Sequence, residues 1–426
     1  MNLIILAVLF VCLLLIGIPI AFCMLLSSIF CIIINGYPSF MFVVQKLNSE
    51  LGSFVLLAIP FFIIAANLMN ELQISKRLFD FANTLVGHFK GGLIYVNILA
   101  SLIFSGMSGS SAADFGGLGV VEIAEMKKKN YPAVLSAAIT AASSVIGPVF
   151  PPSIMLVIFG VMTRTSTGRL FLGGAIPGIL TAISLMIFSK LKINHIEIPE
   201  GEKFCIIKVI KSFKESFFAN LTPILLILSL ILGIVTPSEL GILLIIYTLF
   251  VGFLYKGISF NRIQKALVDS LYLSGQILFM VTASSIFGGI LIRENVSILL
   301  LSLIDQFDIN KVVFLIFLNI LMLLLGCFME GISIEILLIP IVTPIAINLG
   351  IDMTQLGVIM VLAIEIGLIT PPMGDGVFIV SYIAKVKSQE VFHEVWLYFW
   401  AMVIVLFSIT IFPNLVLWLP NLLLGL

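Results

Sequence analysis

Charge is scarce in this sequence. Only 10% of its 426 residues are Asp, Glu, Lys or Arg, while 61% are hydrophobic. A soluble domain carries about 25% charged residues, so these charges are too few to wet the surface of a globule this long, and the solvent has to be lipid. Lys+Arg and Asp+Glu balance at 22 each, which leaves no electrostatic footprint for a nucleic-acid partner. Cysteine is rare as well. Cys12, Cys23, Cys31, Cys205 and Cys327 form no CxxC pair and no regular framework, and four of them lie in apolar runs where Cys acts as a small hydrophobe. His88, His195 and His393 each stand beside charged residues in polar connectors, against a zinc site or a His-centred proton relay in the membrane. The first residues lack both a basic region and a cleavage motif, so residues 3–35 are expected to stay as a membrane segment.

What is present is length of apolar run. A span needs about 20 predominantly apolar residues, and candidates lie near 3–35, 51–70, 92–126, 132–163, 171–190, 218–235, 238–255, 271–291, 296–347, 353–384 and 391–425. The pattern predicts an all-α polytopic membrane protein of about 11 segments, four of them interrupted. Residues Ile74–Lys90 place Leu78, Phe81, Ala82 and Leu85 at helical spacing against Lys76, Arg77 and Asp80, which suits an interfacial helix or a plain connector. Orientation follows the basic residues. With loops near 71–91, 127–130, 190–217, 256–269 and 385–390 in the cytoplasm, that side holds 17 of the 22 Lys and Arg.

The interruptions recur at a constant offset. GPVFPPSIMLVIFG begins at Gly147, and GLITPPMGDGVFIV begins at Gly367. Upstream of each lies a polar, glycine-bearing break, SGMSGSSAAD at 105–114 and GCFMEGISIE at 326–335. The first hairpin returns to the basic loop 127–130, whereas the second returns to 348–355, which has no basic residue. The two copies are therefore expected to be inverted, each a re-entrant hairpin followed by a Pro-Pro-broken helix, an arrangement that secondary transporters use. The expected division is a scaffold helix (1–50), repeat 1 (51–190), central connector and scaffold helices (191–270) and repeat 2 (271–426).

Pro lacks an N–H and clashes with the carbonyl four residues earlier. Pro151 and Pro152 should thus free the carbonyls of Gly147 and Pro148, and Pro371 and Pro372 those of Gly367 and Leu368. Bare carbonyls in hydrocarbon are costly, and neutral oxygens at mid-membrane suit a small hard cation, with Ser153 and Thr370 adding hydroxyl oxygens. The hairpin tips form the other wall. Ser105, Ser108, Ser110 and Ser111 with Gly106 and Gly109 read as a binding wall or as small residues for close packing. The candidate substrate contacts are Asn67, Ser108, Ser110, Ser111 and Asp114, with Ser333 at the second tip. Asp114, Glu330, Glu335, Glu365 and Asp375 are intramembrane acids, for ion or proton coupling or for a wet cavity.

At these residues the chain resembles the large membrane subunit of the tripartite ATP-independent periplasmic (TRAP) transporters, the DctM type. The likeness runs through GIPIAF (17–22), IPFFIIAANLM (59–69), LVGHFKGGLIYVNI (85–98), FSGMSGSSAAD, the GPVFPPS run, GRLFLGGAIPG (168–178), TPSE (236–239) and TPPMG (370–374). It implies a sodium-coupled, elevator-type importer of organic acids in the bacterial inner membrane. It also implies a four-helix small membrane subunit (DctQ type) and a periplasmic substrate-binding protein (DctP type), with Na+ as the coupling ion and no organic cofactor. Matched by motif, one sodium site involves Gly326, Gly367, Thr370 and Met373, and its inverted counterpart Ser105, Gly147, Phe150 and Ser153. One departure is GCFMEGIS, where Met329-Glu330 stands at a tip that in the family often carries an acidic residue after a Leu.

Two other readings compete. A stand-alone sodium/dicarboxylate-type symporter uses similar hairpin repeats. An intramembrane hydrolase needs an activated Ser or an Asp pair, but no His or Lys lies near the serines in sequence. Sialic acid, C4-dicarboxylates and sugar acids all suit a wall of Ser and Gly.

Overall fold

The computed structural model describes residues 2–35, 39–52, 54–72, 74–193, 204–232, 234–255 and 257–425. His195, together with Lys203 and Lys256 of the basic count, lies outside them. Among the described residues every regular element is a helix. Four helices among the described residues are long and apolar enough to cross a membrane by themselves: Thr167–Ile193, Phe260–Arg293, Gly331–Asn348 and Ser388–Ile411. Ten others are apolar but only 10–17 residues long. A helix rises by about 1.5 Å per residue, so the shorter of these pieces cover only part of a membrane's apolar thickness individually.

The breaks have local causes. Residues 3–35 form two helices, Asn2–Leu15 and Ile20–Asn35, not one. Gly17 between them has φ +87° and Pro19 follows, a conformation and a residue that end a helix. The last apolar stretch divides in the same way, into Ser388–Ile411 and Asn414–Leu424, at Pro413. The N-terminal pair and Val43 bury their apolar faces against Ala283–Leu291 of the long helix Phe260–Arg293, a small core separate from the main one.

The main core holds both repeats. Hairpin 1 runs down Gly92–Ser108 and returns through a short turn (Ser111–Ala113), a π-helical segment (Asp114–Leu118) and Gly119–Lys128. Broken helix 1 comprises Ala133–Ser144 and Ile154–Thr163. Hairpin 2 comprises Lys311–Gly326 and Gly331–Asn348, and broken helix 2 comprises Met353–Gly367 and Asp375–Ala384. Several of these halves begin on a residue suited to accept the orphan N–H groups of a helix start. Ser153 accepts from the Leu156 amide, Asp352 from Thr354, and Glu330 from Ile332 and Ser333. Ser110 and Glu330, the caps of the two returning arms, stand at the same offset as Gly147 and Gly367, so the spacing of the repeat extends to its capping.

The repeats interlock head to tail. Ala133–Ser144 packs against Asp375–Ala384, while Ile154–Thr163 packs against Gly331–Asn348 and Met353–Gly367. Lys127 reaches across and donates to the Ala384 carbonyl at 2.9 Å, so a cation meets the negative end of broken helix 2.

Candidate functional site

Two glycine contacts build the mid-molecule site. In repeat 2, Gly326 of hairpin 2 and Gly367 of broken helix 2 meet backbone to backbone. A Cβ on Gly367 would sit 2.7 Å from the Gly326 Cα, and one on Gly326 2.7 Å from the Gly367 Cα. In repeat 1 a Cβ on Gly147 would lie 3.3 Å from the Ser110 carbonyl carbon, and one on Gly109 3.0 Å from the Ser153 Cα. Each hairpin tip is then stitched to the restarted helix by one backbone hydrogen bond. The Ile154 amide donates to Gly109 and the Gly374 amide to Cys327, both at 3.2 Å.

The tips therefore bring both candidate sodium sets together. Ser105 accepts the Gly109 amide through its carbonyl, and Gly106 lies against Phe150, next to Gly147 and Ser153. Gly326, Gly367 and Thr370 adjoin in the second set, and Met373 follows on the exposed side at 54% accessibility. One expectation needs correction. Gly367 and Leu368 do not keep bare carbonyls, because the Gly367 carbonyl accepts the Thr370 amide at 2.9 Å and that of Leu368 accepts the Gly376 amide at 3.2 Å. The chain tightens into turns after Gly367 and reuses those oxygens locally. A carbonyl has two lone pairs, so each can still face a cation. The hydroxyls behave likewise: Thr370 donates to Ile366, Ser105 donates to Leu102, and Ser153 accepts from Leu156, each keeping a lone pair.

Beside the first tip lies a cavity of about 280 Å³, walled by Asn67 and Asn70 on Ala58–Glu71, Ser110 and Ala113 at the tip, and Gly116 and Gly117 on the returning arm. Asn70, Glu71, Gly116 and Gly117 also wall a larger space of about 860 Å³ that reaches Lys76, Arg77 and Arg262. The smaller space is thus the inner end of a vestibule whose wall mixes these three basic residues with Glu71, Asp80 and Glu215. Asn67 is held by a hydrogen bond from its amide to the Ser270 hydroxyl at 2.9 Å, which couples Ala58–Glu71 to Phe260–Arg293.

Of the candidate substrate contacts, Asn67 and Ser110 share this cavity. Ser108, Ser111, Asp114 and Ser333 are buried outside its walls. Ser333 is engaged with Glu330, to which its hydroxyl donates at 2.9 Å. Glu330 is exposed, Glu335 and Glu365 are buried in repeat 2, and Asp375 is exposed beside the second break. Asn70 was missed by sequence reasoning. It stands three residues after Asn67, on the same helix face, and its carbonyl oxygen is buried against Gly117. That spacing was the available signal. Among the described residues no group of three His, Cys, Asp or Glu is placed to hold a metal ion.

Comparison with known proteins agrees over the length of the chain. Residues 6–415 match the family model of the tripartite ATP-independent periplasmic transporter, DctM component. The chain is 37% identical over 413 residues to the sialic acid TRAP transporter large permease protein SiaM of Vibrio cholerae, covering 96% of each. It is 32% identical to the C4-dicarboxylate TRAP transporter large permease protein DctM of Pseudomonas aeruginosa, covering 88% of each. It is also 35% identical to the sialic acid TRAP transporter permease protein SiaT of Haemophilus influenzae, covering 96% of this chain and 66% of that longer one. In shape it resembles the Alcanivorax borkumensis YdaH transporter, with a TM-score of 0.62 over 86% of each chain at 13% identity, a likeness of fold alone.

Proposed function

Because the chain belongs to the DctM component family of tripartite ATP-independent periplasmic transporters, we propose that it carries an organic acid across the bacterial inner membrane, driven by sodium. The observation that carries this reading is the cavity between the first hairpin tip and the fixed pair Asn67–Ser270, open toward Lys76, Arg77 and Arg262. An acidic solute fits its amide and hydroxyl wall, and the mouth, lined by Lys76, Arg77 and Arg262 as well as Glu71, Asp80 and Glu215, lies on the side where the loops concentrate Lys and Arg. In this reading the cavity faces the cytoplasm. The N-terminal helices and Phe260–Arg293, joined to Ala58–Glu71 by the Asn67–Ser270 bond, are the fixed scaffold, and the two hairpins with their broken helices move as an elevator with both hairpins re-entrant.

Sodium binds at the two breaks, through backbone carbonyls near Gly147 and Phe150 with Ser105 and Ser153, and near Gly326, Gly367 and Met373 with Thr370. Oxygen ligands at two inverted sites are the chemistry that discontinuous helices supply for a coupling ion. The partners are a small membrane subunit and a periplasmic binding protein. The substrate class is an organic acid of the sialic acid or C4-dicarboxylate kind, by analogy with the relatives' names.

The test is uptake in proteoliposomes. This subunit with its small partner should accumulate radiolabelled acid only when the binding protein and sodium are both outside. Equal uptake by this chain alone would favour a stand-alone symporter, and uptake without sodium would remove the coupling assignment.

A further inference from the structure

The returning arm of hairpin 1 hides two carboxyl groups that meet no cation among the described residues. Asp114 is 1% exposed and Glu122 is fully buried. Neither Asp114 oxygen has a hydrogen-bond partner, and Glu122 leaves Oε1 without one. The two inner elements packed on this arm, Gly92–Ser108 and Ala133–Ser144, contain no Lys, Arg or His, and Tyr95 is their one titratable side chain. Asp375–Ala384 adds Asp375 and Tyr382. On the vestibule side stand Glu71, Lys76, Arg77 and Asp80, and the far end of the arm carries Glu125, Lys127 and Lys128.

The hydroxyls around the pair are already engaged. Thr140 donates to Glu122 Oε2 at 3.3 Å, and the Asn97 amide donates to Thr140 at 2.7 Å. Ser143 donates to Asn97 Oδ1 at 2.7 Å, Ser101 to Ser143 at 3.1 Å, and Ser144 to the Thr140 carbonyl at 2.8 Å. Ser101 and Ser144 flank the Asp114 carboxyl, and each can offer its single proton there only by giving up its bond to Ser143 or to the Thr140 carbonyl. A naked carboxylate there would have two competed-for hydroxyls and no cation. A protonated one could donate to either hydroxyl oxygen, which satisfies both groups.

The lining also favours a proton over a metal. Ser101 lies beside both the Asp114 and the Glu122 carboxyl, and among the described residues no third His, Cys, Asp or Glu joins the two acids to complete a metal site. We propose that hairpin 1 is a proton-binding element, with Asp114 as the exchangeable acid and Glu122 as an inner one held in the neutral form. Exchange at Asp114 runs through Gly116 and Gly117, which wall the cavity two and three residues further on. Neutral acids let this arm move through a dry environment without exposing charge. The proposal is independent of the sodium sites and of transport itself.

Infrared spectroscopy of the full chain in lipid nanodiscs at neutral pH tests it. Asp114→Asn and Glu122→Gln should each remove one acid's share of the protonated carboxyl C=O band, and the Asp114 component should shift sooner in heavy water. If either variant instead loses intensity from the ionised carboxylate bands, or if sodium converts the Asp114 band to carboxylate, the proposal is overturned. Should a variant fail to fold, wild-type protein carrying isotope-labelled aspartate shows whether any of its seven aspartates is protonated at neutral pH, and Asp114→Glu in that background removes the label from this one position. A shifted protonated band supports the assignment, and its absence ends it.

Discussion

The two breaks share sequence, spacing and backbone stitching, but they differ in who covers them. Gly147 through Val149 and Pro151 through Ser153 are all buried, whereas Pro372, Met373 and Asp375 are exposed. The helix that follows each broken helix makes the difference. Thr167–Ile193 lays Gly174 against the Val149 carbonyl and Gly178 against Phe150, where a Cβ would lie 2.9 Å from the Phe150 Cβ. At the repeat's own offset from these glycines stand Glu394 and Tyr398, side chains too large for such an approach. Phe392 reaches the second break instead, against Gly374. The lesson is that the Pro-Pro motif sets the shape of a site while glycines on a neighbouring helix set its access. The second break lies open at the surface of the chain, and the first is enclosed.

The largest effect is expected from breaking the seal. Gly174→Val would drive a branched side chain into the Val149 backbone, where nothing flexible can yield. Overpacking of this kind costs about 1–3 kcal/mol and at times more, so thermal unfolding monitored in detergent should shift sharply downward. Glu394→Ala, its counterpart on the open side, should shift it far less. It removes one partly buried ion pair with Lys192 at 2.8 Å and forces no backbone apart. Equal destabilisation by both would undo the proposed asymmetry.

Accessibility is the next discriminator. A cysteine at Met373 should react readily with a hydrophilic maleimide, and one at Ser153 should stay unlabelled under the same conditions. Sodium should slow labelling at 373, and an unchanged rate would detach Met373 from the ion.

Affinity effects come third. Thr370→Val keeps the shape but removes a hydroxyl oxygen, so the sodium concentration for half-maximal uptake should rise several-fold, from the loss of about 1–1.5 kcal/mol. Ser153→Ala should weaken sodium and also lower stability, because Ser153 caps Ile154–Thr163 and a lost cap costs about 1 kcal/mol. A stability loss without any sodium effect would make Ser153 a cap and nothing more. The smallest change is expected for Lys127→Met. It removes the cation at the end of broken helix 2, a contribution of about 0.3–1 kcal/mol that salt should screen in unfolding experiments.

Much of the site was legible because its signals are local. Gly147 and Gly367, the Pro pairs and the serine-rich tip sit in windows short enough to read, and the contacts of Gly367 with Gly326 and of Gly147 with Ser110 join the windows that were singled out. The carbonyls after Gly367 departed from expectation for a local reason too. Losing a helical donor does not leave an oxygen bare when the chain can turn and offer the Thr370 or Gly376 amide. Asn70 and the Asn67–Ser270 bond were harder to see, since an amide in an apolar run carries no label for the helix that will meet it, here one 203 residues away.

By itself the sequence determined the solvent, the helical class, the duplicated hairpin and break, and the family, since each depends on composition or on residues within one short window. Only the tertiary structure decided that Asp114 lies behind the cavity wall while Asn67 and Ser110 form it, and that one break is sealed while its twin is open. The reason is physical. Burial and access are set by which face of a distant helix arrives at a site and by the size of the side chains it brings. Gly174 and Gly178 admit a backbone where Glu394 and Tyr398 hold one off, and no single window contains both sides of that contact.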